Sequence, residues 1–203
     1  MTVTDAPRLY LTTPPLEAGR TKAAVDIVGS ALATGLVACL RLDMADGTGD
    51  AGWNAAINAL LPLCHAADVP LVVTDRPGMV APHGLDGVHL STSDASIARL
   101  RKTLGSEIII GASGGAERHR AMVLAEAGAD YVTIGPADAA GDDLYRWWSE
   151  MIEVPVVAEG EIDLETARRI GPLVDFATPD TAAWWEAPAR ILPAFAEALG
   201  PLA

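Results

Sequence analysis

Two carboxylates flank one glycine in the stretch Glu159-Gly160-Glu161, where a short apolar run, Pro155 to Ala158, gives way to a helical pattern. In α/β proteins a strand–helix junction offers backbone N–H groups to a phosphate, so two negative charges there raise a question about what binds. Other residues able to do chemistry fall at the ends of similar apolar runs: Thr12, Thr13, Arg41, Asp43, Thr74, Asp75, Ser91, Thr92, Ser113, Gly135 and Thr178. The set is rich in hydroxyls and acids, and Arg41 is its one cation. A guanidinium at a strand end either grips a substrate anion or pairs with Asp43 or Glu161 across a common mouth, and the excess of acids favours the pair. His89 is of the right type for acid–base work near neutral pH, but a histidine inside an apolar strand is more often a core residue with satisfied ring nitrogens. His65, His83 and His119 fall on helix or loop patterns and share no metal-ligand spacing.

The elements that must position these residues are eight apolar runs: Leu9 to Thr12, Leu36 to Leu40, Pro70 to Thr74, Gly87 to Leu90, Ile108 to Ala112, Tyr131 to Ile134, Pro155 to Ala158 and Val174 to Thr178. Most lack strict alternation, as parallel strands buried on both faces do. Helical stripes separate them, such as Ala24, Ile27, Val28 and Ala31, or Ile97, Leu100 and Leu104. Eight such units predict one (β/α)₈ barrel domain over residues 1–203, with an open doubly wound sheet as the other arrangement to consider. Pro62 predicts a kink or an early break in its helix. Residues 138–150 read as an acidic, Gly-containing loop leading to a short helix. The tail from Pro188 to Leu199 reads as the last outer helix. Trp147 with Trp148, and Trp184 with Trp185, suit outer-layer packing, a planar ligand or a homodimer interface.

Fourteen Lys and Arg against 27 Asp and Glu give a formal charge of −13, which repels a polyphosphate backbone and argues against nucleic acid as a partner. No apolar run approaches the roughly 18 residues of a membrane span, and the first residues carry no signal-peptide pattern, so a cytoplasmic protein acting on a small molecule is expected. Cys39 and Cys64 have no CxxC spacing and read as buried thiols.

The segments "LYLTT", "CLRLD", "VPLVVTDRPG", "LDGVHLSTSD", "IIIGASGG", "GADYVTIGP" and "VPVVAEGEI" resemble, in order and spacing, the strand motifs of the thiamine phosphate synthase family, which includes the thiazole tautomerases. The resemblance runs from Leu9 to about Ile162. It implies the barrel fold and a transfer reaction that joins a hydroxymethylpyrimidine diphosphate to a thiazole phosphate and releases pyrophosphate. It also implies Arg41 and Ser113 as catalytic residues, with Arg41, Thr74, Ser113, Gly135 and Gly160 contacting substrate. Asp75 and Asp94 fall where the family holds Mg²⁺; the structural alternative is that Asp94 caps its helix and Asp75 pairs with Arg76 or caps its turn.

The family pattern is broken at several points. Asp43 stands in place of a lysine and Thr74 in place of an asparagine. "ADAAGDDLYR" replaces a Thr-x-Thr-Lys loop, Gly160-Glu161 a glycine pair, and "FATPDT" a small-residue phosphate loop. Pro136 stands where the tautomerases have histidine. With so many phosphate contacts missing, little coupling activity is expected. The competing expectation is a non-catalytic barrel that binds a neutral or cationic small molecule, or a protein partner, at an acidic mouth.

Overall fold

The computed structural model describes residues 8–91 and 97–200. Its eight strands are β1 (Leu9–Thr12), β2 (Val37–Leu42), β3 (Leu71–Thr74), β4 (Gly87–Leu90), β5 (Ile109–Gly115), β6 (Tyr131–Ile134), β7 (Val156–Ile162) and β8 (Phe176–Pro179). They pair in parallel, each with the next and β8 with β1, so the sheet closes as a (β/α)₈ barrel. The outer layer holds α1 (Thr21–Leu32), α2 (Asp50–Ala66), α3 (Val80–His83), α4 (Ile97–Leu104), α5 (Arg118–Glu126), α6 (Ala137–Met151), α7 (Leu164–Ile170), α8 (Thr181–Glu186) and α9 (Pro188–Leu199). As expected for the last outer helix, α9 buries Leu192, Phe195 and Leu199. Among the described residues no helix is long and apolar enough to cross a membrane.

β2, β5 and β7 run two or more residues further toward their C-terminal ends than the apolar pattern indicates, and β8 one, because neighbouring strands continue to supply hydrogen-bond partners. Arg41 lies inside β2, paired with Thr12, and its carbonyl accepts from Thr13 N at 3.0 Å. β7 continues through a register shift between Ala158 and Ile162. Glu159-Gly160-Glu161 is therefore an irregular stretch of strand, which corrects its reading as a turn between strand and helix. Gly160 adopts φ +120° there, and a Cβ on it would lie 3.0 Å from Pro136 Cα, so only glycine suits the position. The helix begins later, where the Asp163 carboxylate accepts from Thr166 N at 2.7 Å.

Pro62 does not break α2, which runs unbroken to Ala66. The carbonyl that loses its partner belongs to Asn58, and both residues are exposed, so water can satisfy it. Residues 138–150 are helical from the outset, within α6, and the glycine appears as a single non-helical position, Gly141, inside it. Trp148 and Trp184 are buried, and each meets its neighbouring Trp edge to face. The outer layer thus absorbs both pairs.

Period-two alternation divides the barrel lumen into layers. Tyr10, Cys39, Val72, Tyr131 and Val157 form an apolar lower layer, with Phe176 packed against it. Gly111 belongs to this level, and a Cβ on it would sit 1.9 Å from Tyr131 Cζ, so the missing side chain makes room for the phenol ring. Burial pushes the Cys39 thiol well up, and the Cys64 thiol up to about 12, which leaves both as packing groups. Two residues further along each strand lie Thr12, Arg41, Thr74, His89, Ser113, Thr133, Glu159 and Thr178, the polar upper layer. At the opposite end, the buried Arg8 guanidinium donates to the carbonyls of Gly171 (2.8 Å), Asp175 (3.0 Å) and Gly200 (3.0 Å), tying the strand entry to the segment between α7 and β8 and to the end of α9.

Candidate active site

The upper layer is joined by one chain of hydrogen bonds. Thr133 Oγ1 donates to Glu159 Oε1 at 2.8 Å, and Ser113 Oγ lies 3.2 Å from Thr133 Oγ1. His89 Nε2 lies 2.9 Å from Ser113 Oγ, and its Nδ1 3.0 Å from the Tyr131 hydroxyl, which is 2.6 Å from that of Tyr10. Counting protons assigns the directions. A carboxylate only accepts, so the one Thr133 proton goes to Glu159, and the one Ser113 proton goes to Thr133. His89 must then donate from Nε2. Burial, with Arg41 adding to it, holds the His89 pKa well below its ordinary value, so the ring is neutral and Nδ1 accepts from Tyr131. Tyr131 in turn accepts from Tyr10. His89 is thus a satisfied core histidine, fully buried, as its place in an apolar strand suggests.

At the head of the chain, Arg41 lies between two carboxylates, with Nη1 3.1 Å from Glu159 Oε2 and Nε 3.4 Å from Asp43 Oδ1. Of the two partners anticipated from sequence, Asp43 is therefore met and Glu161 is not: Glu161 is exposed along the cleft, and Glu159 takes its place. Burial opposes the Arg41 charge, but Tyr10, Asp43 and Glu159 around it outweigh that cost and hold the guanidinium above its usual range. Burial raises the Asp43 pKa, against the pull of Arg41 and of the Thr74 hydroxyl that donates to it. Arg41 offsets one of the two inner charges, so the mouth is somewhat less acidic than its carboxylates alone suggest.

Arg41 borders two cavities. One, of about 350 Å³, is lined by Asp43, Thr74, Asp75, Arg76 and Ser91 among others. Asp75 does not pair with Arg76. Its carboxylate accepts from Ser91 N at 3.0 Å and from the Ser91 hydroxyl, while its backbone sits in the left-handed region at φ +53°, which aspartate tolerates. Arg76 instead pairs with Asp50 at 3.5 Å and lies over the Trp53 ring. Asp94 lies outside the described residues. No cluster of three or more His, Cys, Asp or Glu is found among the described residues, so any cation here would rest on Asp75, with a substrate and water completing its shell.

The second cavity, of about 640 Å³, opens where β7, β8 and β1 end, and its walls include Thr12, Arg41, Glu159, Gly160, Arg169 and Thr178. Gly160 is on its surface. Gly135 is not; it is buried at the end of β6, where a Cβ would lie 2.3 Å from the Glu159 carbonyl oxygen. The fold thus brings Arg41, Thr74 and Ser113 into one bonded network and leaves Asp75 and Gly160 on opposite sides of it. Sequence reasoning missed Thr133, Tyr131 and Tyr10, although stepping back two residues from Thr12 finds Tyr10, and stepping back two and then four from Gly135 finds Thr133 and Tyr131.

A closed parallel barrel with a polar interior layer and two cavities at the strand C-terminal ends belongs to the class of (β/α)₈ barrels, whose functional sites collect at that end. Comparison with known proteins narrows this. The chain belongs to the thiamine monophosphate synthase family, whose profile matches residues 9–171. It is 40% identical over 169 residues to a thiamine-phosphate synthase of Rhodospirillum centenum, covering 79% of this chain and 80% of that one. A synthase of Hyphomonas neptunium is 32% identical over 196 residues, covering 87% and 86%. The fold superposes on thiamine phosphate pyrophosphorylase from Pyrococcus furiosus with a TM-score of 0.79 at 26% identity, covering 98% of this chain and all of that one.

Proposed function

We propose that this protein couples a hydroxymethylpyrimidine diphosphate to a thiazole phosphate, forming thiamine phosphate. The observation that carries the reading is the position of Arg41, which borders both mouth cavities in a chain that matches two thiamine-phosphate synthases over four-fifths or more of their length. In the reaction the methylene C–O bond breaks and the diphosphate leaves with the electron pair. The thiazole nitrogen supplies its lone pair to the new C–N bond and becomes positively charged.

Arg41 would face the leaving diphosphate from the junction of the cavities, its charge kept in place by Asp43 and Glu159. Thr74 and Ser113 are held by Asp43 and by the hydrogen-bond chain, which fixes the shape of the pyrimidine side. Asp75 fits Mg²⁺: it is an exposed hard carboxylate, oriented by Ser91, with lone pairs to spare. Bound there, the ion would neutralise charge on the diphosphate. Gly160 leaves backbone open to the thiazole partner in the larger cavity.

The test is direct. Purified protein is given both substrates and Mg²⁺, and thiamine phosphate is read as thiochrome fluorescence after oxidation. Product is expected, and its formation should fall at least about a hundredfold in Ser113→Ala. Absence of product from the wild-type protein at any Mg²⁺ concentration rejects the reading.

A further inference from the structure

The barrel lumen has a second opening, at the end where the strands begin. There a cavity of about 300 Å³ reaches down to the lower layer. Tyr10, Cys39 and Tyr131, all buried, form its floor, and half-buried residues including Ala38, Ile109 and Phe176 form its rim. Barrel interiors are normally close-packed, and at this end packing serves stability, so a gap of this size is not what a purely structural face requires. The small side chains of Ala38 and Cys39 leave the space. They stand on β2, which lies opposite β6 and its Tyr131 in the barrel order.

The side chains offer this cavity no unpaired charge. Asp130 at the rim is exposed and already holds Arg101 at 2.5 Å and Ile110 N at 2.6 Å. The Tyr10 and Tyr131 hydroxyls are bonded to each other, and Tyr131 also to His89, so the tyrosines have only their rings to give. Those rings lie 5.3 Å apart between centroids and tilted by 56°, with Phe176 packed against the same layer. A charged ligand would lose its hydration here and gain no partner, whereas a flat apolar ring meets aromatic faces and edges. A dry apolar cavity of roughly 150 Å³ holds one benzene, so the space here suits about two fused rings.

We propose that the N-terminal end of the barrel is a second small-molecule site, separate from the mouth, that takes a neutral aromatic compound of about two fused rings. The occupant enters past Ala38, Ile109 and Phe176 and rests on Tyr10, Cys39 and Tyr131. The polarizable Cys39 sulfur adds a favourable contact with an aromatic ring.

Quinoline, neutral at pH 7.5, and N-methylquinolinium are nearly isosteric and differ by one positive charge. Titration of wild-type protein followed by NMR should show quinoline saturating with a Kd below about 1 mM and binding at least about tenfold more tightly than the cation. Its largest amide shift changes should fall at Ile109 and Phe176, and not at Arg41 or Glu159, which mark the mouth. Ala38→Phe fills the rim from a half-buried position and should weaken quinoline at least about tenfold while the mouth amides keep their shifts. Should that variant fail to fold, the affinity ratio and the shift map of the wild-type protein still decide. Equal affinity of the two probes, no saturation by quinoline, shifts centred on the mouth, or undiminished binding to Ala38→Phe each overturns the proposal.

Discussion

On the β2–β3 side of the mouth, Thr74 donates to Asp43, Ser91 donates twice to Asp75, and Thr13 donates to the Asp43 carbonyl at 3.1 Å. On the β8–β1 side, the Thr12 and Thr178 hydroxyls have no partner, although both residues are more than nine-tenths buried. On the first side every hydroxyl is paired, and its bonds hold Arg41 and Asp75 in place, although Arg41 Nε, 3.4 Å from Asp43 Oδ1, makes no hydrogen bond. The second carries buried hydroxyls with unmade bonds. One barrel rim thus contains a bonded side and an unbonded one, and substitutions should tell them apart.

The largest effect belongs to the residue that serves both sides. Arg41→Met leaves Asp43 and Glu159, each less than a quarter exposed, without a cation between them. Stranding partly buried carboxylates in this way should cost about 3 kcal/mol, read as a fall in the urea midpoint. A loss under about 1 kcal/mol would mean that water reaches both carboxylates freely.

Next comes the pH response of the buried chain. In the unfolded state His89 takes up a proton near pH 6.5, whereas in the native protein its pKa lies well below that value. Below about pH 6.5 the unfolded state therefore binds more protons, and stability falls as pH falls, by up to about 1.4 kcal/mol per unit. Asp43 acts in the opposite sense and lower on the scale. Its folded pKa is raised, so the native state gains protons first as pH drops toward its ordinary range just below 4, which partly offsets the loss there. Denaturation at pH 7.5 and 5.5 for wild-type protein and His89→Gln should show a smaller pH dependence in the variant. An identical dependence would mean that His89 opens to solvent.

Much of this was legible in the sequence. Eight apolar runs and their helical stripes sufficed for the barrel, because burial on both faces leaves an unmistakable pattern in β1, β3, β4 and β6. The ends of β2, β5 and β7 were not, because Arg41, Ser113 and Glu159 are polar residues kept in strand by neighbouring backbone, a tertiary effect that local polarity conceals. Arg41 was rightly assigned to an ion pair, and of the two partners considered, Asp43 and Glu161, Asp43 is one that it meets, the other carboxylate being Glu159. Glu159 was missed because the stretch read as a strand–helix junction, whereas a strand with an irregularity at Gly160 turns Glu159 inward and leaves Glu161 outside. The α6 segment misled for a related reason: a short helical piece with one buried residue, Ala137, precedes the kink at Gly141, and the packed residues Leu144, Tyr145 and Trp148 all follow it.

A matched pair of isosteric changes sharpens the comparison further. Thr74→Val removes the hydroxyl that holds Asp43 and should cost about 1–2 kcal/mol. Thr178→Val removes a hydroxyl with nothing to bond and should be neutral or stabilising by up to about 1 kcal/mol, with any benefit reversed in ligand binding. Equal costs for the two would erase the distinction between the bonded and the unbonded side.

The smallest change in energy carries the most specific signal. Glu159→Gln keeps the shape of the side chain but gives it one donor and one acceptor end. Arg41 can only donate, so it takes the amide oxygen and turns the amide N–H₂ toward Thr133. Thr133 must then accept from Gln and donate to Ser113, and Ser113 must donate to His89 Nε2, which becomes an acceptor. The His89 proton moves to Nδ1 and is donated to Tyr131, reversing every link of the chain. Nitrogen NMR of histidine-labelled protein should therefore show His89 as the Nε2–H tautomer in the wild type and as the Nδ1–H tautomer in Glu159→Gln, with little change in melting temperature. A merely structural role for Glu159 would leave the tautomer where it was. That outcome would mean that a water or an alternative hydroxyl orientation interrupts the path between Thr133 and His89, and that the two layers of the barrel are electrically independent.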